Sequence, residues 1–162
     1  MSLSHNSINT IDVQSSIAVI SSDSVGWSSQ RKLYVETYVK NLQKLLRLND
    51  WKISVDWRKL ADEDDAFATN TPIGHSKRSV IHLSNMFLGL DSQDQAQTLI
   101  HELLHCHLFA LDNLASETVD ALTSKAAGKV FEVALEAAVE CTTDTIADIL
   151  LPFVPSFELP NM

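Results

Sequence analysis

The segment around residue 101 constrains the possible folds of this chain more than any other part of the sequence. Two histidines and a glutamate lie there within an apolar run, Leu99-Ile100-His101-Glu102-Leu103-Leu104-His105. A helix that is apolar nearly all round is buried. Burial of imidazole and carboxylate groups is unfavourable unless a partner satisfies them. The segment therefore predicts a buried helix that holds a polar or charged partner.

The spacing of the two histidines indicates what that partner is. Residues four apart share one face of a helix, with Cβ atoms about 5–6 Å apart. Two ring nitrogens can then bind one Zn²⁺ ion at about 2.0–2.1 Å. Glu102 lies about 100° around the helix from His101, where it can take a proton from a metal-bound water. The sequence thus favours His101 and His105 as zinc ligands and Glu102 as general base; hydrogen-bonded core histidines without a metal are the alternative.

A third ligand is expected outside this helix, because a catalytic zinc usually has three protein ligands and one open position. No histidine follows His107. The last helical region carries acids at every fourth residue, namely Glu132, Glu136, Glu140, Asp144 and Asp148. Residues 133–135 and 137–139 are all apolar, so Glu136 needs a partner. We favour Glu136 as third ligand, with Glu132, Glu140 and His82 as alternatives, and Glu140 as the residue that orients a ligating histidine.

The first half of the chain predicts one helix and three strands. Apolar residues recur at three- and four-residue spacing from Ser28 until Asn49, which indicates an amphipathic helix. Strict alternation of apolar and polar residues predicts a strand at 51–57. Segments 66–70 and 78–84 resemble two further strands, joined by a turn at 71–74.

The second half predicts helices. The helix with the two histidines begins near Ser92, where Ser92 and Gln95 form a capping-box pattern, and Asp112 with Asn113 ends it. A further helix begins near Ser116 and continues to residue 151, with a break or bend at Gly128. We expect an α+β fold in which helices cover a small, mainly antiparallel three-stranded sheet.

The composition indicates one domain with two tails. With 162 residues and 45% hydrophobic residues, the chain suits a single core. We expect a flexible N-terminal tail at 1–26, a domain at 27–151 and an extended tail at 152–162, after prolines end the last helix. Apolar runs are too short for a membrane span or an export signal, so we expect a cytoplasmic protein with two buried, reduced thiols, Cys106 and Cys141.

The charge distribution argues against nucleic acid as a partner. The net charge is −9, and beyond residue 79 only Lys125 and Lys129 are basic. Binding to a phosphate backbone requires a dense basic patch. A cationic substrate or partner would suit the acidic half, although an acidic surface also serves solubility.

Taken together, these residues resemble the gluzincin type of metallopeptidase. In that group the helix with His-Glu-x-x-His is followed by a helix that supplies a glutamate ligand, often with an acid four residues later. Glu136 and Glu140 fit that spacing, as do Glu132 and Glu136. Segments 48–53, 80–84, 101–105 and 136–140 are similar to those of small phage-associated metallopeptidases. The resemblance covers about residues 30–150, and its one sharply specific element is the motif.

The resemblance implies a zincin-like fold and zinc-dependent hydrolysis of peptide bonds, with a peptide or protein as substrate. Zinc would be held by His101, His105 and Glu136, and strand 78–84 would be the edge that holds an extended substrate. The donor for the oxyanion is not identified; the candidates are Tyr34, Tyr38, His75 and His82. The motif is also similar to that of SprT-like proteases, which act on DNA and use a third downstream histidine that is missing here.

Three alternatives stay open at this point. The chain could be a non-catalytic zinc-binding or interaction domain, or a regulatory protease specific for one partner protein. The tail at 152–162 could also cover the cleft and keep an enzyme latent.

Overall fold

Three helices and a three-stranded sheet form the fold in the computed structural model, which describes residues 26–57, 66–121 and 124–160, with side chains up to residue 119 in the second range. The helices are α1 (Ser29–Leu45), α2 (Ser92–Ala121) and α3 (Lys125–Leu150), and the strands are β1 (Lys52–Asp56), β2 (Ala68–Ile73) and β3 (Arg78–Leu83). The α+β class is confirmed. The tail expected at 1–26 lies outside the described residues except for Gly26.

Helix α1 begins where predicted but ends at Leu45, before the expected end at Asn49. The hydroxyl of Ser28 caps its start by accepting a hydrogen bond from the Arg31 amide at 3.3 Å. The apolar stripe buries four residues, Val35, Tyr38, Val39 and Leu42. Such a stripe drives helix formation, because burial against the core stabilises the helix more than intrinsic propensity does.

The sheet is mixed, so the expectation of a mainly antiparallel sheet is wrong for one of its two strand pairs. The strand order is β1-β3-β2, with β3 in the centre. β3 is antiparallel to β2 and parallel to β1. After β1 the chain crosses to the opposite edge before it returns through the centre, and such a crossover produces a parallel pair. Alternation along a strand determines which side chains are buried, but it carries no information on neighbours or direction.

The connection between β2 and β3 begins later than predicted. β2 continues through Pro72 to Ile73, and the reversal is made by a short 3₁₀ turn at Gly74–Ser76. Proline is compatible with an edge strand, where its missing N–H is not needed for pairing. On β3 the side chains of Ser79, Ile81 and Leu83 are buried, so alternate residues of this strand face the core.

Helix α2 is longer than predicted and begins differently. It runs without interruption for 30 residues, so the expected end at Asp112 and new start at Ser116 are wrong. Asn113 is accommodated inside the helix by donating to Glu117 at 2.7 Å. The cap is Asp91, whose Oδ1 accepts from the amides of residues 93 and 94 at 2.9 Å each. Gln95 instead donates to the Phe87 carbonyl, which excludes the predicted capping box.

Helix α3 is continuous and packs closely on α2. Ser124 caps its start, and Gly128 lies buried in the second turn without breaking the helix. A Cβ atom at Gly128 would lie 3.3 Å from Val119 Cγ1, so glycine allows the two helices to approach at this point. Packing between α2 and α3 therefore keeps Asp112, Asn113 and Ser116 in a helix, although these residue types have low helix propensity.

The core lies between α2, the sheet and α1. Leu99, Ile100 and Leu103 are fully buried, which confirms the predicted burial of this helix segment. None of the described helices is both long and apolar enough to cross a membrane.

The C-terminal tail is a packed part of the core. Beyond a 3₁₀ turn at Leu151–Phe153 its described residues have no regular structure, yet Phe157 is only 1% exposed. The ring of Phe157 makes edge contacts with Tyr34 and Tyr38. The Tyr38 hydroxyl also donates to the Pro155 carbonyl at 2.6 Å, and burial raises the pKa of Tyr38 to about 12. The tail thus ties the end of α3 to α1.

We expect substitution Gly74→Ala to destabilise the protein by about 1–3 kcal/mol, because a methyl group at this position would overlap the ring of Phe109. Urea unfolding followed by circular dichroism would measure the change. The matched control is Gly89→Ala, since a Cβ atom at Gly89 meets nothing within 4 Å. That control should change the free energy of unfolding by about 0.5 kcal/mol or less. Equal effects of both substitutions would contradict the close contact between residue 74 and α2.

Candidate metal site

Two histidines of α2 and one glutamate of α3 bring their ligand atoms together. His101 Nε2 lies 3.1 Å from His105 Nε2 and 3.2 Å from Glu140 Oε2. His105 Nε2 lies 3.6 Å from Glu140 Oε1. Among the described residues, these three form the one group whose ligand atoms all lie within 4.8 Å of one another. The structure therefore brings together His101 and His105 as predicted, and adds Glu140 to them.

These separations suit a tetrahedral zinc ion. Two ligand atoms that each lie about 2.0–2.1 Å from a tetrahedral metal are about 3.3 Å from each other. The three separations in the site lie between 3.1 and 3.6 Å. Two imidazoles and a carboxylate are also a donor set that zinc commonly uses. The residues present therefore fit the metal.

The register between α2 and α3 explains why Glu140 occupies this position. On α3, Val139, Thr143 and Ala147 are buried at intervals of four residues. Each is followed by an acid that lies beside the seam with α2, namely Glu140, Asp144 and Asp148. Because the two helices are antiparallel, one turn forward along α2 corresponds to one turn back along α3.

Contacts along the seam follow that register. Gln97 donates to Asp148 at 2.6 Å, His101 Nδ1 lies 2.8 Å from Asp144, and His105 lies beside Glu140. Glu136 is one turn further on and exposed, outside the group of ligand atoms. The structure therefore does not place Glu136 with the two histidines. Glu140, which we expected to orient a histidine, instead faces the Nε2 atoms of both histidines, and Asp144 contacts Nδ1 of His101.

Asp144 determines which nitrogen of His101 is free. An ionised carboxylate accepts hydrogen bonds only, so the Nδ1 of His101 carries the proton that points at Asp144. The Nε2 atom, which faces His105 and Glu140, then has a free lone pair. Burial lowers the pKa of His105, with an opposing effect of the Glu140 charge, and so favours the neutral form of His105. Neutral imidazole is the form that binds a metal.

Glu102 is a buried acid beside the cluster. Its side chain is 6% exposed, and its carboxylate forms no hydrogen bond with another described residue. Burial, with a smaller effect of the Glu140 charge, raises the pKa of Glu102 to about 8. A cation held by the neighbouring residues would favour its ionised form. Glu102 therefore has the position expected of a proton-transfer group.

A cleft of about 370 Å³ opens onto the cluster. It lies between β2, α2 and α3, and it is lined by Ala68, Thr69, Asn70, Pro72, His101, Glu102, His105, Asp112 and Glu140. Strand β2 therefore lies beside the site. The expectation that strand 78–84 is the substrate-binding edge is wrong, because β3 pairs with a strand on each side and has no free edge.

The backbone of β2 offers hydrogen-bonding groups to the cleft side. The Ser84 amide donates to the Phe67 carbonyl at 3.1 Å. Residues of antiparallel strands alternate between pairs that exchange hydrogen bonds and pairs that do not. In this register the backbone groups of Ala68, Asn70 and Pro72 therefore point away from β3. Pro72 contributes a carbonyl only, whereas Ala68 and Asn70 each present an N–H and a carbonyl.

Other residues considered from the sequence lie elsewhere. His82 is on the outer face of the sheet, 3.3 Å from Asp56, and His75 is in the turn after β2. Tyr34 and Tyr38 contact the C-terminal tail. None of these four oxyanion candidates lines the cleft. The described residues of the tail do not line it either, so they do not cover the site.

Two acids of the site were not assigned a role from the sequence. Asp144 follows Glu140 by four residues. The resemblance implies this spacing between a glutamate ligand and the next acid, but we assigned it to Glu136 and Glu140, one turn earlier. Asp112 lines the cleft from inside α2, and burial raises its pKa. Its signal was hidden, because an aspartate beside an asparagine indicates a helix end.

No protein-family model matches the sequence, and neither a curated protein nor a solved structure was found to match it. The side chains of the cleft are therefore the basis for assigning a function.

The two cysteines should differ in reactivity. Cys106 is 4% exposed and burial raises its pKa, so little of it is thiolate at pH 8. Cys141 is exposed on α3, which contradicts the expectation of two buried thiols. We expect an aromatic disulfide reagent to modify one thiol rapidly in the native protein and the second only after unfolding. Substitution Cys141→Ser should remove the rapid phase, and Cys106→Ser should leave it unchanged. Rapid modification of both thiols would contradict the burial of Cys106.

Proposed function

We propose that this protein is a zinc-dependent peptidase with a zincin-like site, in which His101, His105 and Glu140 hold the metal. The observation that carries the proposal is the convergence of their ligand atoms within 4.8 Å, in a cleft that also contains the buried carboxylate of Glu102. A peptide or protein is the proposed substrate.

The number of ligands favours catalysis over a structural zinc. Structural zinc sites usually have four protein ligands, whereas catalytic sites have three and leave one position open. Among the described residues, three ligand atoms converge and the cluster faces an open cleft. A non-catalytic zinc-binding domain would have no need for the cleft or for a buried carboxylate next to it.

Each residue has a defined part in the proposed reaction. Bound zinc would polarise the scissile carbonyl and lower the pKa of a coordinated water to about 7. Asp144 keeps His101 in the tautomer that presents Nε2 to the cleft. Glu102 takes the proton of the attacking water and passes it to the leaving amine.

Among the described residues no strand pairs with the outer edge of β2, and this edge provides a place for the substrate backbone. A peptide in extended conformation can add to a strand edge through main-chain hydrogen bonds. The outward N–H and carbonyl groups of Ala68 and Asn70 lie beside Glu102, since both residues line the same cleft. A peptide paired with them would place a peptide bond next to the cluster. Main-chain pairing does not depend on particular side chains, so it supports cleavage of extended peptide segments of varied sequence.

We expect near-stoichiometric zinc in the purified protein by elemental analysis after removal of excess metal. Substitutions His101→Ala and Glu140→Ala should each remove most of it, because each deletes one of three ligands. Asp144→Asn should weaken zinc binding by about 10–100-fold. The matched control is Glu136→Ala, one turn away on the same helix, which should retain zinc. Zinc lost from Glu136→Ala but kept in Glu140→Ala would restore Glu136 as the ligand, and wild type that binds no zinc would refute the site.

Substitution Glu102→Gln should lower the rate of peptide cleavage by at least about a hundredfold while zinc stays bound, because the amide cannot accept the proton. Cleavage of a mixed peptide library, followed by mass spectrometry, would measure the rate. Glu117→Gln is the control, since Glu117 is an exposed acid of the same helix outside the cleft. A zinc-loaded wild type that cleaves neither the library nor unfolded protein would favour the non-catalytic alternative. Cleavage confined to a single protein would indicate the regulatory protease.

A further inference from the structure

A second hollow adjoins the cleft beside His105 and Glu140. This hollow lies between the later turns of α2 and the earlier turns of α3, and it is about 260 Å³ in volume. It shares His105, Asp112 and Glu140 with the cleft, so the two spaces adjoin each other. A substrate side chain bound in the hollow would therefore belong to a residue one or two positions from the scissile bond.

The lining of the hollow is acidic at its rim and apolar at its floor. Asp112, Glu132 and Glu136 lie around it, and Leu135 and Val139 supply apolar surface. Val139 is 7% exposed, which makes the floor a packed surface. Such a lining matches a long side chain with an aliphatic stem and a charged end.

Two of the three acids around the hollow have no lysine or arginine partner among the described residues. Lys129 pairs with Glu132 at 3.0 Å, but neither Asp112 nor Glu136 forms an ion pair with a lysine or arginine among the described residues. No lysine or arginine lines the cleft or the hollow. Glu102, which is 6% exposed and forms no hydrogen bond with another described residue, lines the adjoining cleft. A cationic group between Asp112 and Glu136 would relieve the repulsion between their charges.

We infer that the hollow bounded by Asp112, Glu136 and Leu135 binds the side chain of a lysine or arginine of the substrate, next to the bond that is cleaved. The inference rests on the proposed peptidase function. The aliphatic stem contacts Leu135 and Val139, and the charged end lies between Asp112 and Glu136. An α-amino terminus has the same charge but no stem, so the apolar floor favours the side chain.

The test is a series of acetylated and amidated alanine-based octapeptides in which one lysine occupies each position in turn, with norleucine peptides as matched controls. Zinc-loaded wild type should cleave lysine peptides roughly fivefold faster or more at one fixed distance from the lysine. The preference should shrink in 0.5 M salt, since screening weakens the charge interaction. Substitution of both Asp112→Asn and Glu136→Gln should abolish it, whereas Glu117→Gln should preserve it. Equal rates for lysine and norleucine at every position would overturn the inference.

A binding measurement separates this inference from the proposed chemistry. Fluorescence anisotropy of labelled lysine and norleucine peptides, with the Glu102→Gln protein, does not depend on turnover. Tighter binding of the lysine peptide, lost when Asp112→Asn and Glu136→Gln are added, supports the hollow even if no peptide is cleaved. Cleavage without any lysine preference leaves the peptidase proposal intact and refutes the hollow. A preference that appears only with unacetylated peptides and at no lysine position would overturn the side-chain assignment in favour of an amino terminus.

Discussion

The packing of α2 determines the geometry of the rest of the molecule. Its first half is buried on one side by the sheet and α1, through Leu99, Ile100 and Leu103. Its other side forms a seam with α3, where polar residues recur at every turn. A polar stripe in a half-buried seam is stable only if each group finds a partner. The position of α3 is therefore fixed both by apolar packing and by the need to satisfy the stripe.

The seam satisfies its polar groups unequally along its length. At one end, the Gln97 side chain donates a hydrogen bond to the Asp148 carboxylate, so both groups have a partner. Next, His101 is paired with Asp144 through Nδ1. At the cluster, however, Nε2 atoms of two histidines lie 3.1 Å apart and face Glu140, with the buried Glu102 close by. The facing Nε2 atoms and the Glu140 carboxylate can share a proton or bind one cation, whereas Glu102 has no hydrogen bond to another described residue. The polar groups of the seam that could share a cation thus lie together at the position where we propose the metal.

The sequence predicts those features that depend on one element alone. His101, Glu102 and His105 share a helix, and their spacing alone brings them to one side of it. The proposed third ligand depends on the register between two helices. Periodicity along α3 indicates the face on which an acid lies but not which turn of α2 it meets, so it does not distinguish Glu136 from Glu140. The extension of α2 past Asp112 was missed for a related reason, since contacts with α3 outweigh the local preference to end the helix. Strand order likewise depends on a crossover that leaves no periodic signal.

The relation between the strand edge and Glu102 follows from a single side chain. Asn70 donates from Nδ2 to the backbone carbonyl of Glu102, and its Oδ1 accepts from the Ser79 hydroxyl. One amide thus ties the edge strand to the central strand and to the helix that carries the proposed base. The outward backbone groups of the same residue are those that could pair with a peptide. Asn70 holds both the strand edge and the Glu102 backbone in place. It would therefore determine the distance between a bound peptide backbone and the Glu102 carboxylate. Preorganisation of this kind is what positions a reacting group without further cost in ordering.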